Sequence, residues 1–500
     1  MDTLPVTPPA EGAQLIILEE GRVRTVSLDS RNQWSLGREA GSGVGIPLTS
    51  ALASREHGWF MKMEGRWYYV DNPGNTNGTF YNGSKLPRPT PGRNTTVCLN
   101  NRDILRIDNE DLNRSSSRGI LMMFSATPVR GQWRTFFLTG RSQLTIGRDP
   151  GSDIVEPQPY VSRRHARLEL KNGLWLLSDC GSIAGTFLNG KRITSPTPLR
   201  EKDCISLYDR NYFFLGDHLL YAALDPHVRQ KLLHSTPPGH RQVVLRADIR
   251  SKTVKSDTGS GTKQLLRDVK LEIREGTLVA LLGTAGAGKS TLMNCLNGMD
   301  LGGVTGSVIY RDVNLMENFD QMKYMIGSVP QQKTFHPSFT PELEFRFAAR
   351  KRLPADTSRE EIQARVDQTL RMLSIDGVRR NRNSKLSGGE QTRVNVGIEL
   401  VADRDLLCLD EPDQGLSPNY KHELFEILRN LAHKNGKSVL TIIHDVSEIN
   451  LFDQVIILAK VDGVGRLAFS GSPEEARAHF GADIRDVYAL LEREPKRFVR

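Results

Sequence analysis

Apolar positions divide the chain into two regimes. Up to about residue 216 they fall in short runs such as Trp67-Tyr68-Tyr69-Val70 and Leu174-Trp175-Leu176-Leu177, separated by Asn-Gly and glycine-rich turns. Short runs cut by such turns predict the strands of all-β sandwiches. After Val243 the pattern changes to apolar strands alternating with stretches of helical period. Val394, Ile398 and Val401 share one helical face, as do Ile362, Val366, Leu370 and Leu373 behind Ser358-Arg359-Glu360-Glu361, which reads as a capping box. This second regime predicts an α/β domain on a largely parallel sheet, with a helical subdomain at about 333–386.

The β half repeats itself. Gly37-Arg38 recurs as Gly147-Arg148, Ser54-Arg55-Glu56-His57 as Ser162-Arg163-Arg164-His165, Gly78-Thr79-Phe80 as Gly185-Thr186-Phe187, and Asn82-Gly83 as Asn189-Gly190. The near-constant, long offset marks two copies of one domain, not a solenoid. Expected boundaries are 1–126 and 134–216, with a short connector at 126–133. A joint at 217–241 follows, carrying Pro226, Pro237-Pro238 and a basic, helical piece at 227–234. The α/β domain is expected at 242–475 and a helical extension at 476–500.

Chemistry enters at LVALLGTAGAGKST, residues 278–291. An apolar strand runs into a G-x-x-x-x-G-K-[ST] loop and then a helix start. Gly283, Gly286 and Gly288, with Thr284, Ala285 and Ala287 between them, let backbone N–H groups converge on phosphate oxygens at a helix N-terminus. Lys289 is expected to reach the β- and γ-phosphates and Ser290, with Thr291 beside it, to ligate Mg²⁺. Two further strands end in polar groups, Leu406–Leu409 at Asp410-Glu411 and Val439–Ile443 at His444. Strand ends of a parallel sheet open into one crevice. Asp410 there holds the metal or its water shell, Glu411 orients or deprotonates the attacking water, His444 contacts the γ-phosphate, and Gln331 brings an amide to metal and water.

Composition narrows this little. The 500 residues carry 67 basic and 58 acidic side chains, a net +9 that suits nucleic acid, an anionic membrane surface or a phosphorylated partner alike. Five scattered cysteines support neither a disulfide framework nor a zinc site, as in a reducing cytosol. No basic-then-apolar leader opens the chain and no run approaches 18 apolar residues, so it is expected to be neither secreted nor membrane-spanning.

The G-R, S-R-x-H, T-N-G-T and N-G elements resemble a forkhead-associated (FHA) domain, a family that reads phosphothreonine peptides. The resemblance assigns the phosphopeptide to Arg38, Ser54, Arg55 and Thr76, with Asn77 gripping its backbone, and makes His57 and His165 structural. An arginine fork with hydroxyl donors suits a phosphate on physical grounds as well. The second copy departs from the pattern. Ile183 and Ala184 stand where the first has Thr76 and Asn77, although Arg148 and Ser162 remain. The first copy is therefore expected to bind phosphothreonine and the second to pack, space or dock on the ATPase half.

Leu386-Ser387-Gly388-Gly389-Glu390-Gln391 is a capping-box pattern whose two glycines can also offer N–H groups to an anion. With the loop at 283–291, Gln331, Asp410-Glu411 and His444, it resembles an ABC-type ATPase cassette. F-T-P-E-L-E-F-R-F-A-A-R-K-R-L-P, S-G-G-E and Gly397-Ile398-Glu399-Leu400 point to the G-type exporter subfamily. The resemblance implies that Ser387, Gly388, Gly389 and Glu390 of one copy complete the ATP site of another in a head-to-tail homodimer. Two departures stand out. No aromatic residue for adenine precedes the loop between Arg246 and Lys263, leaving Val254 or another aliphatic group, and Ser417 stands where aspartate is usual.

Taken together, the sequence predicts two all-β FHA sandwiches ahead of an α/β P-loop ATPase. The expected protein is the Mg-ATP-hydrolysing subunit of an export system, cytoplasmic and peripheral to the inner membrane face. It works with a separate permease and is regulated by a phosphothreonine protein or Ser/Thr kinase. A soluble phospho-regulated switch or scaffold without transport is the alternative. Nucleic acid is not expected, because the chain lacks the paired cassettes or long coiled coil of such relatives.

Overall fold

A computed structural model describes residues 12–499 apart from 21, 39–44, 89–94, 101–102, 109–118, 127–131, 202, 208–209, 217, 224–235, 256–260 and 312. Most of the connector between the repeats and the basic piece at 227–234 lie outside the described residues. The chain divides into two compact units. One contains residues 1–145, 166–180 and 185–225, the other residues 146–165, 181–184 and 226–500.

The first copy is a sandwich of two sheets. One runs Arg22–Ser27, Gln14–Glu19, Ile120–Ser125, Ile104–Ile107, Phe80–Tyr81, Ser84–Lys85, and the other Ile46–Pro47, Gln33–Gly37, Gly58–Met63, Arg66–Asp71, Thr95–Cys98. Leu15, Ile17, Phe60, Tyr69 and Met122 share its core. Gln14–Glu19 and Ile120–Ser125 are nonetheless buried at every position. The reason is that Ile16, Leu18, Leu121 and Met123 on the other face pack with Cys204, Phe213 and Leu220 of the second copy. Burial on both faces turns polar–apolar alternation into a continuous apolar run.

The second copy repeats this architecture with one exchange. Its larger sheet runs Gln132–Phe137, His218–Ala223, Arg210–Phe214, Cys204–Leu207, Phe187–Leu188, Lys191–Arg192. By the repeat, Gln132–Phe137 matches Arg22–Ser27. The strand beside it, however, comes from behind the repeat, whereas the first copy uses Gln14–Glu19 from in front. The joint expected from 217 is thus corrected, since His218–Ala223 is a strand paired along its length with Gln132–Phe137. Without it two strands would carry unpaired backbone groups, and Leu219 and Leu220 would lose their burial.

The ATPase-like half is built on a ten-stranded sheet in the order Val313–Asn314, Val304–Tyr310, Val243–Lys255, Thr262–Arg274, Val464–Gly471, Gln454–Val461, Leu278–Gly283, Ser438–Ile442, Leu406–Asp410, Ile326–Val329. The expected parallel sheet is only half of it. The last five strands are mutually parallel, whereas the hairpin Val243–Lys255 and Thr262–Arg274 adds an antiparallel wing. Thr262–Arg274 alternates buried and exposed toward its end, as a strand with one solvated face must.

The described helices are α1 (Lys289–Leu296), α2 (Leu315–Met322), α3 (Pro341–Arg352), α4 (Arg359–Met372), α5 (Gly388–Leu400), α6 (Pro418–His433), α7 (Pro473–Phe480) and α8 (Ile484–Arg493). Ile362, Val366, Leu370 and Leu373 face the core with Phe345 and Val394. The close fit is possible because Gly397 of α5 has no side chain; a Cβ there would stand 2.1 Å from the Phe345 ring. Both α4 and α5 begin with complete capping boxes, at Ser358/Glu361 and Ser387/Glu390. Ile484, Val487 and Leu491 of α8, in the expected helical extension, join the same core.

Candidate functional site

The buried strand Leu278–Gly283 lies between Gln454–Val461 and Ser438–Ile442 and delivers its loop at their carboxyl ends. Gly286 and Gly288 adopt φ of 71° and 88°, in the left-handed region. Side chains would also collide here, since a Cβ on Gly288 would stand 2.8 Å from Leu266 and one on Gly283 2.7 Å from the Leu458 carbonyl. Ala287 is fully buried beneath the loop, Thr284 nearly so, while Ala285 and Gly286 are exposed. Lys289 Nζ folds back onto the carbonyls of Gly283 at 2.8 Å and Thr284 at 3.4 Å. Burial holds its pKa below the usual lysine range, opposed by Glu411 and Asp410.

Ser290, the second residue of α1 and next to Thr291, lies close enough to Asp410 to favour its charged form. Burial and the charge of Glu411 raise the Asp410 pKa, with Ser290 and Lys289 opposing. Glu411 follows the strand Leu406–Asp410 with φ 47°, a left-handed conformation that costs a non-glycine residue about 1 kcal/mol or more. Its Oε1 pairs with His444 Nε2 at 2.6 Å and its Oε2 accepts from Gln331 Nε2 at 3.0 Å. Gln331 also donates to Gln414 Oε1 at 3.1 Å. Three separate strand ends thus bring Gln331, Asp410, Glu411 and His444 to the loop carrying Lys289 and Ser290. A hydroxyl, a carboxylate and an amide offer only oxygen to a cation, which suits Mg²⁺ and not a soft metal.

Ser387, Gly388, Gly389 and Glu390 open α5. Glu390 Oε2 accepts from the Ser387 backbone N–H at 2.8 Å and hydroxyl at 2.9 Å. Gly388 is exposed, and among the described residues no hydrogen bond or ion pair joins this turn to 283–291. Val254 is half-buried near the end of its strand. Ser417 precedes α6 without capping it through its side chain.

The first copy presents Arg38 to solvent, with Arg55 and Thr76 also exposed and Ser54 and Asn77 half-buried. Ser54 Oγ accepts from Thr76 N at 3.1 Å, and Asn77 Nδ2 donates to the Leu52 carbonyl at 2.8 Å. Arg38 N donates to the Ser54 carbonyl at 3.1 Å, so the candidate residues form one rim. Gly37 permits this approach, because a Cβ there would stand 1.8 Å from the Arg55 carbonyl. Beneath the rim, buried His57 accepts from Ser54 N at 3.1 Å and meets Thr79 Oγ1 at 3.2 Å. Thr79 in turn donates to Asp71 at 2.6 Å. Burial lowers the His57 pKa to about 4, which keeps the ring neutral.

The second copy's corresponding loops, 146–165 and 181–184, belong to the second compact unit. Within that unit the Arg148 side chain is 10% exposed. Its Nη1 forms an ion pair with Glu361, its Nη2 donates to Thr357 Oγ1 at 3.3 Å and lies 3.8 Å from Asp356, and its Nε donates to the Val161 carbonyl at 3.0 Å. Arg163 N donates to Asp356 Oδ2 at 2.6 Å. Ser162 is 4% exposed and Ala184 1%. Sequence reasoning missed Asp356, Thr357 and Glu361 as partners of this arginine; the retained Arg148 and Ser162 were the signal that the site still held something.

The ABC transporter family model matches residues 266–414, and the FHA domain model matches 34–108 and 144–208. The chain is similar to the ABC transporter ATP-binding/permease protein Rv1747 of Mycobacterium tuberculosis, 32% identical over 70% of this chain and 38% of the relative. It is also similar to ABC transporter G family member 26 of Arabidopsis thaliana, 31% identical over 44% of this chain and 32% of the relative. It therefore spans about a third of these relatives. Among solved structures, cbiO1 from Clostridium perfringens, part of the ABC transporter complex cbiONQ, aligns over 48% of this chain and 92% of its own at 24% identity and TM-score 0.42. No described helix is long and apolar enough to cross a membrane.

Proposed function

Since the chain carries two FHA domains and an ABC transporter domain, we propose that it is the Mg-ATP-hydrolysing component of an export system. It couples hydrolysis to a separate membrane permease at the inner membrane face, under the control of phosphothreonine recognition. The loop residues Gly283 to Thr291 hold the phosphates. Lys289 exchanges its own loop carbonyls for phosphate oxygens. Ser290, Asp410 and Gln331 hold Mg²⁺, which when bound neutralises charge on the transferring phosphoryl group.

Glu411 orients the attacking water and takes its proton, while His444 and Gln331 hold the carboxylate in place. Ser387, Gly388, Gly389 and Glu390 of a second copy close the site in a head-to-tail dimer. Glu390 keeps the turn rigid through its capping box, so that the N–H groups of Gly388 and Gly389 are preorganised for the γ-phosphate. Leu343 and Phe347 of α3, 42% and 41% exposed, offer an apolar surface to a permease. Arg38, Ser54, Arg55, Thr76 and Asn77 receive the phosphothreonine segment.

The observation that carries this reading is Glu411, held by His444 and Gln331 at a strand end beside the Ser290–Asp410 pair. Glu411→Gln removes the base and keeps the shape. ATP turnover is expected to fall about 100-fold or more, and an ATP-dependent dimer to accumulate on size-exclusion chromatography. Undiminished turnover in that variant would remove Glu411 from the role.

A further inference from the structure

Arg148 occupies the place that Arg38 holds in the first copy, and its fork is aimed at the loop between α3 and α4. That loop reads Pro354-Ala355-Asp356-Thr357-Ser358, and Thr357 is half-buried with its hydroxyl 3.3 Å from Arg148 Nη2. Asp356 is fixed alongside by the Arg163 backbone N–H at 2.6 Å. A threonine is thus presented, within one compact unit, to the arginine through which this type of domain would read phosphothreonine. Ile183 and Ala184, which remove the grip on an incoming peptide backbone, do not matter for a segment that arrives on the same chain.

We propose that Thr357 is a phosphorylation site and that Arg148 holds its phosphothreonine in cis, fixing the α3–α4 loop to the second FHA copy. The inference rests on the phosphothreonine reading of the FHA module given above. In the forming step, a Ser/Thr kinase catalyses attack of Thr357 Oγ on the γ-phosphorus of ATP. An O–P bond forms, the β–γ anhydride bond breaks, ADP leaves, and the hydroxyl proton passes to the kinase's base.

The product brings a charge of about −1.5 to −2 with three acceptor oxygens next to Oγ1. In the unmodified chain Glu361 and Asp356 supply the negative charge that Arg148 faces. Glu361 can give up the arginine without losing its place, because its Oε2 still accepts from Ser358 N at 2.8 Å in the α4 capping box. A phosphate takes a bidentate arginine more tightly than a shared, half-exposed carboxylate does. Phosphorylation therefore turns a carboxylate contact into a lock. The segment it locks is the turn between α3 and α4, which share a core with α5, the helix opened by Ser387–Glu390.

The test uses the full chain with phosphothreonine incorporated at 357, compared with unmodified Thr357 by hydrogen exchange. Residues 146–165 and 353–358 are expected to exchange about tenfold more slowly in the phosphorylated chain. Arg148→Ala should cancel the difference, and Arg148→Lys, which keeps the charge but loses the fork, should cancel most of it. Equal or faster exchange in the phosphorylated chain overturns the proposal, as does protection that survives Arg148→Ala. A phosphothreonine peptide titrated onto the unmodified chain separates the two levels. If that peptide binds through Arg38 while phosphorylation at 357 changes nothing, the cis contact alone falls. If it does not bind either, the phosphothreonine reading of the module falls with it.

Discussion

The two FHA copies share a scaffold and differ in what their arginines face. Each has a glycine before the arginine that only a bare Cα can fill, with 1.8 Å between a Cβ at Gly37 and the Arg55 carbonyl and 2.1 Å for Gly147 and Arg163. In each, an Asn-Gly turn is tied to an aspartate, Asn82 to Asp103 at 2.8 Å and Asn189 to Asp203 at 2.9 Å. Yet Arg38 stands in water, whereas Arg148 is covered by Glu361, Asp356 and Thr357. The frame is the same in both copies, because the core demands it, while the rims differ. A retained arginine at this position therefore does not imply a site open to partners.

The strongest way to break this contrast is to remove one arginine at a time. Arg38→Ala should weaken a phosphothreonine peptide about a thousandfold by calorimetry, since two charge-assisted hydrogen bonds are worth about 2 kcal/mol each. Arg148→Ala should leave that affinity within about twofold. Equal losses would mean that both copies are open. Next in size is a pH effect particular to His57. Its ring resists protonation until about pH 4 in the folded state but accepts a proton near 6.5 when unfolded. Between those values the unfolded chain binds the extra proton. Stability is thus full above pH 6.5 and falls as pH drops toward 4, by about 3 kcal/mol. Urea unfolding followed by tryptophan emission reads this directly, because all five tryptophans lie in the N-terminal half. His57→Gln should flatten the profile.

Smaller effects sharpen the second site. Arg148→Ala should speed hydrogen exchange at 353–358 by about tenfold, corresponding to about 1.4 kcal/mol, since both carboxylate partners are 38% exposed and partly screened. Glu361→Gln keeps the α4 cap and loses only the charge. About a threefold increase is expected there, in line with a half-exposed ion pair. Arg38→Ala should change neither value, and a change would tie the two rims together.

Much of this was legible in the sequence because it is local. The glycine loop, Asp410-Glu411 and His444 each close a strand, and parallel strands deliver their ends to one place. The repeat was equally plain from its turns. What stayed hidden is non-local. Arg148 and Glu361 meet across two hundred residues of chain with no periodic signal between them. The antiparallel wing was obscured because a long hairpin with one solvated face reads as two weak strands. His218–Ala223 was assigned to the joint because Pro226 drew the boundary forward, although Leu219 and Leu220 are core residues.

That strand has a practical consequence for dissecting the protein. A fragment ending at 216 would leave Gln132–Phe137 without a neighbour and Arg210–Phe214 with a bare row of N–H and C=O groups, an invitation to pair with another molecule. Weak or clumping behaviour of such a piece would report the location of the cut and nothing about ligand recognition. The second sandwich is a unit of recombination only when the residues through Ala223 travel with it.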